Sequence, residues 1–206
     1  MSTTAIIPLK APNRAKSRLL LDANTRLALA DSFARDLITA CMSCPDIDQC
    51  LVVGTAPRDI AVPQIPDPGN GLNQALLTAA SSLSPEAAIV ILMGDLPCVG
   101  SDDLTRVLKY WRETPQAIER GAYVSDLAGV GTTAILGRGR SLQPQFGARS
   151  RAKHRESGLV ELTQPDLLPL RRDVDSLIDL ADASRIGVGI HTLDCVNDLG
   201  LTMNTS

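Results

Sequence analysis

The stretch Ala88-Ile89-Val90-Ile91-Leu92-Met93-Gly94-Asp95-Leu96-Pro97 decides the fold class of this chain. Six consecutive apolar residues, with no polar alternation, suit a strand covered on both faces, as in a parallel sheet with helices on either side. The tetrapeptide that follows places one carboxylate in a tight loop at the strand's carboxyl end. Open α/β sheets bind their ligands at that edge. A lone aspartate there suits a divalent cation held against phosphates. It equally suits a helix cap, because Pro97 stands just before a helical pattern.

Apolar runs alternate with helical patterns along the rest of the chain. Strands are expected at 5–8, 50–54, 88–93, 122–125, 132–136 and 167–174. A helix capped by Asn24 carries an inner stripe of Leu27, Ala30, Ala34, Leu37 or Ile38, and Cys41, and ends at Pro45. Others are expected over 72–83, with Asn70 as its cap if the preceding turn is an ordinary one, from Ser101 or Asp102 to Trp111, through the basic run that follows 146–149, and over 177–183. Strand–helix alternation predicts an α/β sandwich with a mostly parallel sheet. One domain over 1–186 is expected, and the weakly patterned 187–206 reads as a loose extension.

With 206 residues, 44% of them apolar, the chain can bury a sizeable core. Only five aromatics are present, so stacking platforms for nucleic-acid bases are not expected, and a net charge of −3 gives no basic footprint. The five cysteines form no framework; Cys41-x-x-Cys44 lacks a second pair or a histidine cluster, so reduced structural thiols are expected. The first residues lack a signal-peptide pattern, and no run of about 18 apolar residues occurs. The cytoplasm is the expected location and no membrane partner is expected.

Further polar constellations fall at predicted strand ends. Residues 8–19 read Pro-Leu-Lys-Ala-Pro-Asn-Arg-Ala-Lys-Ser-Arg-Leu, with four cations suited to a polyphosphate or to a solvated surface loop. No Walker spacing is present. Gly71-Leu72-Asn73 offers close backbone approach and an amide, or an ordinary turn. Gly129-Val130-Gly131-Thr132-Thr133 and Phe146-Gly147-Ala148-Arg149-Ser150, with His154 beyond, suit an anion. Asp173-Val174-Asp175 could join Asp95 in clamping magnesium, or close a strand and cap a helix.

In this order, Pro8-x-Lys10 with Ala15-Lys16-Ser17-Arg18-Leu19, Gly71-Leu72-Asn73-x-Ala75, Gly94-Asp95-Leu96-Pro97, Gly129-x-Gly131-Thr132-Thr133, Phe146-Gly147-x-x-Ser150-x-Ala152-x-His154 and Asp173-Val174-Asp175 resemble the 2-phospholactate guanylyltransferases of coenzyme F-420 biosynthesis. That family includes members acting on phosphoenolpyruvate or 3-phosphoglycerate. The resemblance implies a GT-A type nucleotidyltransferase, a Rossmann-like three-layer α/β/α sandwich with a mixed, mostly parallel sheet. It implies transfer of GMP from GTP to the phosphate of a three-carbon acid, with pyrophosphate released. It assigns Pro8, Lys10, Lys16, Arg18, Gly71, Asn73 and Asp95 to the nucleotide, with Lys16 and Asp95 catalytic. Thr132, Gly147, Ser150 and Arg149 fall to the acid, and Asp95, Asp173 and Asp175 to magnesium. A homodimer is compatible with it. The family loop usually reads Phe-Gly-Pro-Gly-Ser; Ala148 and Arg149 replace its third and fourth residues, so a shifted acid preference is expected. The alternatives are a molybdopterin or sugar nucleotidyltransferase, whose opening Gly-rich loop is missing, and a silent nucleotide-binding module, which would not need the three aspartates.

Overall fold

A computed structural model describes residues 2–9, 21–139 and 142–201. Its elements run β1 (Thr3–Leu9), α1 (Ala23–Ser43), β2 (Gln49–Gly54), β3 (Gln64–Ile65), α2 (Leu72–Ser81), β4 (Ala88–Leu92), α3 (Ser101–Glu113), α4 (Pro115–Arg120), β5 (Ala122–Ser125), β6 (Thr132–Arg138), α5 (Ser150–Glu156), β7 (Val160–Glu161), α6 (Leu168–Arg171), α7 (Leu177–Ile186) and α8 (Ile190–Asp198).

The seven strands form one sheet in the order β3-β2-β1-β4-β6-β5-β7. β4 lies at its centre, and all five of its residues are buried. It is parallel to β1, with Ile6 opposite Ile91, and antiparallel to β6, with Leu92 opposite Ala134. β6 also runs against β5, whereas β2–β3 and β5–β7 are parallel pairs. The reversal of β6 brings the start of that strand to the edge where β1, β2 and β4 end.

The two-residue period of the strands sorts the core into layers. Ala5, Ile7, Val52, Val90 and Leu92 face Leu37, Ile38 and Cys41 of α1 and Leu104, Val107 and Leu108 of α3. Ile6, Leu51, Val53, Ile89 and Ile91 face Leu76, Ala79 and Ala80 of α2. Helix, sheet and helix layers therefore stand as expected. All five thiols are free, and four of them are buried.

Several local expectations need correction. Asp22, not Asn24, caps α1: its Oδ1 accepts from Asn24 N at 2.9 Å and Thr25 N at 3.1 Å. Gly71, not Asn70, precedes α2. Gly100 precedes α3, where Asp103 Oδ2 reaches back to accept from Gly100 N at 2.8 Å. The strand expected over 167–174 does not form; the segment is a 3-10 turn (Pro165–Leu167) followed by α6. Its buried residues are Leu167, Leu170 and Val174, three and four apart, which is a helical rather than a strand spacing. Pro169 also lacks the N–H that a strand interior requires.

Within the segment read as an extension, the described residues 187–201 are ordered against the domain. Residues 190–198 form α8, which packs on α1 through a cluster containing Leu29, Phe33 and Val196. Asp36, buried on α1, accepts from His191 N at 3.0 Å and Thr192 N at 2.9 Å, capping α8 from a distant part of the chain. A Cβ at Gly189 would stand 2.2 Å from the Asp36 carboxyl carbon, so only glycine fits there. Asp36→Ala is expected to cost about 2 kcal/mol, since it removes a helix cap and orphans buried N–H groups. Chemical unfolding would measure it, and exchange protection of residues 190–198 should fall first.

Candidate active site

A cleft of about 620 Å³ opens at the carboxyl ends of β1, β2 and β4. Pro8 and Leu9 line it from β1, Thr55 to Arg58 from beyond β2, and Met93, Gly94 and Asp95 from beyond β4, and Asp31 of α1 and Asp175 line it as well. Gly94 is required by this convergence. A Cβ there would lie 2.7 Å from Leu9 Cδ2 and 3.0 Å from Pro8 O.

The segment carrying Asp173 is held against the Asp95 loop, because Val174 N donates to Asp95 O at 3.1 Å. Burial, followed by repulsion from Asp95, Asp126 and Asp175, pushes the Asp173 carboxyl up to about 7. The chain thus holds like charges close together at a cost, and a hard divalent cation would relieve it. Among the described residues no group of three or more Asp, Glu, His or Cys is placed to hold a metal ion by itself. The donor set fits magnesium all the same, since that ion commonly takes one or two carboxylates and completes its shell from substrate phosphates and water.

Asp126 carries no prediction from the sequence. It accepts from Val130 N at 2.8 Å and Gly131 N at 2.6 Å, closing the glycine-rich loop before β6. Its place three residues before Gly129, in an Asp-x-x-Gly turn, was the available signal. Met93 N donates to Thr133 O at 2.9 Å and fixes the start of β6 beside the Asp95 loop.

Thr132, Gly147, Ser150 and Arg149 gather in a second cluster, at the start of β6 and the N-terminus of α5. Thr132 and Ser150 are buried there, and Arg149 is exposed. Among the described residues Arg149 is the one non-glycine at positive φ, at 56°. That backbone state favours glycine, which the resembled family usually has at this position. A smaller cavity, of about 210 Å³, lies between Gly129, Val130, Arg149, Arg151 and Arg155.

Asn73 and Gly71 do not line the cleft. Asn73 Oδ1 accepts from Phe146 N at 2.8 Å, and its Nδ2 donates to Phe146 O at 3.1 Å. These two bonds tie α2 to the loop carrying Gly147. His154 is fully buried, with its ring 5.3 Å from that of Phe146 in an edge-on contact. Burial, helped by the Lys153 charge, lowers its imidazole to about 4. Lys10, Lys16 and Arg18 lie outside the described residues.

The described residues contain no helix long and apolar enough to cross a membrane. Residues 26–164 match the MobA-like NTP transferase domain family. The phosphoenolpyruvate guanylyltransferase of Streptomyces coelicolor is 38% identical over 93% of this chain and 94% of that one. A solved structure from Desulfovibrio desulfuricans G20 superposes over 98% of this chain and 97% of that one, with a TM-score of 0.73 at 14% identity. The 2-C-methyl-D-erythritol 4-phosphate cytidylyltransferase of Francisella tularensis covers 90% of this chain with all of its own, at a TM-score of 0.58 and 12% identity.

Proposed function

The chain belongs to the phosphoenolpyruvate guanylyltransferase family, within the MobA-like NTP transferases, and is a nucleotidyltransferase; from that premise we propose that it moves GMP from GTP to the phosphate of a three-carbon phospho-acid. Phosphoenolpyruvate is the first candidate acid, with 2-phospho-L-lactate and 3-phospho-D-glycerate beside it. The product would serve coenzyme F-420 biosynthesis. The observation that supports this reading is the closeness of Asp173 to Asp95, which lines the cleft, with Val174 N donating to Asp95 O.

In the proposed reaction a phosphate oxygen of the acid attacks the α-phosphorus of GTP. A new P–O–P bond forms, the α–β bridge breaks, and pyrophosphate leaves with the bond electrons. The nucleophile is already ionised near neutral pH, because a phosphate's second pKa is about 6. No protein base is needed. The chain's task is to place two anions in line and offset their charge. Asp95 and Asp173 would hold magnesium, with Asp175 at their side, and the metal would supply positive charge to the reacting phosphates. Thr132, Ser150 and the Gly147 backbone would receive the acid, and Lys10, Lys16 and Arg18 are assigned to the triphosphate.

The test is pyrophosphate release and mass analysis of the product with GTP, magnesium and each of the three acids. A GMP–acid adduct with at least one of them is expected; pyrophosphate without an adduct defeats the reading. Arg149→Gly is expected to change the ranking of the acids, because it removes a bidentate donor beside the acid cluster. An unchanged ranking would rule out that role.

A further inference from the structure

The acid cluster contains a hydrogen-bond chain with a fixed direction. Gln145 N lies 2.9 Å from His154 Nε2. A backbone N–H only donates, so Nε2 must present its lone pair. The single hydrogen of a neutral imidazole then sits on Nδ1. That atom lies 2.9 Å from Thr132 Oγ1, so the hydroxyl oxygen accepts. Among the described residues Thr132 Oγ1 has no other hydrogen-bond partner, and its own hydrogen is left to point elsewhere.

The ring has little freedom to break this order. It is fully buried between Phe146, 5.3 Å away, and Tyr123, 6.0 Å away. A second proton would fall on Nε2 and turn the Gln145 bond into a clash of two donors. The low proton affinity of the buried imidazole points the same way.

We propose that His154 is a positioning residue for the acid substrate: it locks the Thr132 hydroxyl as a donor toward one anionic oxygen of the phosphorylated acid. This rests on the reading of Thr132 as part of the acid site. An unrestrained hydroxyl would present its lone pairs to the anion for part of the time. A locked donor never does, so the gain appears in acid binding and not in GTP binding. The same ring also holds Gln145, while Asn73 holds Phe146 on both backbone groups, so the loop leading to Gly147 is pinned at two successive residues.

Two substitutions separate the two ring nitrogens. Glutamine can place an acceptor near the Nε2 position and keep Gln145, but leaves nothing at Nδ1. Asparagine can place an N–H near the Nδ1 position and keep the donor to Thr132. Initial rates on the full chain should show the KM for the phospho-acid about 10-fold higher in His154→Gln and in Thr132→Val, with the KM for GTP unchanged. The double variant should be no worse than Thr132→Val alone, because the two residues act as one unit. His154→Asn should recover most of the loss. If Thr132→Val leaves the acid KM unchanged, the acid site is wrongly placed and the proposal falls with it. If Thr132→Val raises that KM but His154→Gln does not, or His154→Asn is as poor as His154→Gln, the acid site stands and the positioning role is refuted. Nitrogen-15 NMR of the wild-type imidazole gives an answer independent of whether the variants fold. The Nδ1–H tautomer is expected, and Nε2–H would overturn the proposal.

Discussion

Asp95→Asn should lower pyrophosphate release by on the order of 10³, because it removes half of the charge offered to the metal where the transferred phosphate carries its negative charge. The substitution preserves shape and adds an N–H, so the thermal transition should move by no more than about 1 kcal/mol. The backbone contact from Val174 N to Asp95 O does not depend on the side chain and should survive. A variant that keeps its unfolding midpoint and more than about a tenth of the wild-type rate would remove Asp95 from the chemistry. Loss of magnesium-dependent thermal stabilisation should accompany the loss of rate.

Asp173→Asn should have an opposite pair of effects: lower turnover and a more stable fold. Burial and the charges of Asp95, Asp126 and Asp175 raise this carboxyl to about 7. The sign follows from proton counting. Between the usual aspartate range and that value the folded state binds more protons than the unfolded chain, so stability falls as pH rises through the window. Above it the penalty is complete. Asparagine removes the charge, so with a chelator present the variant should gain roughly 1–2 kcal/mol at pH 8 and little at pH 4, less than one full pKa shift would give because neighbours relax. Urea unfolding at the two pH values measures this. Equal stability of variant and wild type at pH 8 would mean that the carboxylates do not repel as described. Stability given up at a site is expected where strain serves function.

These residues also show what a sequence can and cannot reveal. The buried run 88–92 was readable because it is short, rich in β-branched Ile and Val, and closed by Gly94, which favours a strand over a helix. Thr132 and Ser150 were readable as neighbours only through motif order, since their meeting depends on β6 running backward. Segment 167–174 was misread because a short apolar run does not declare its period. α8 was invisible because its cap, Asp36, stands 155 residues before His191. β3 and β7 contain two residues each, too few to show alternation. Asn73 looked like a ligand-facing amide, and nothing in its own neighbourhood announced that Phe146 would occupy it.

The reversed strand β6 has a consequence for how such an enzyme can diversify. Of the groups proposed for the nucleotide and the metal, Pro8 and Asp95 stand at the ends of β1 and β4, whereas Asp173 and Asp175 follow α6. The groups proposed for the acid lie in one contiguous stretch, from the Asp126 turn through β6 to α5, which meets the Asp95 loop through the bond from Met93 N to Thr133 O. If the proposed acid site is right, changes confined to residues 126–156 would reshape the acceptor side without touching β1 or β4. Arg149, a charged side chain held at a glycine's backbone angle, has the character of one such alteration.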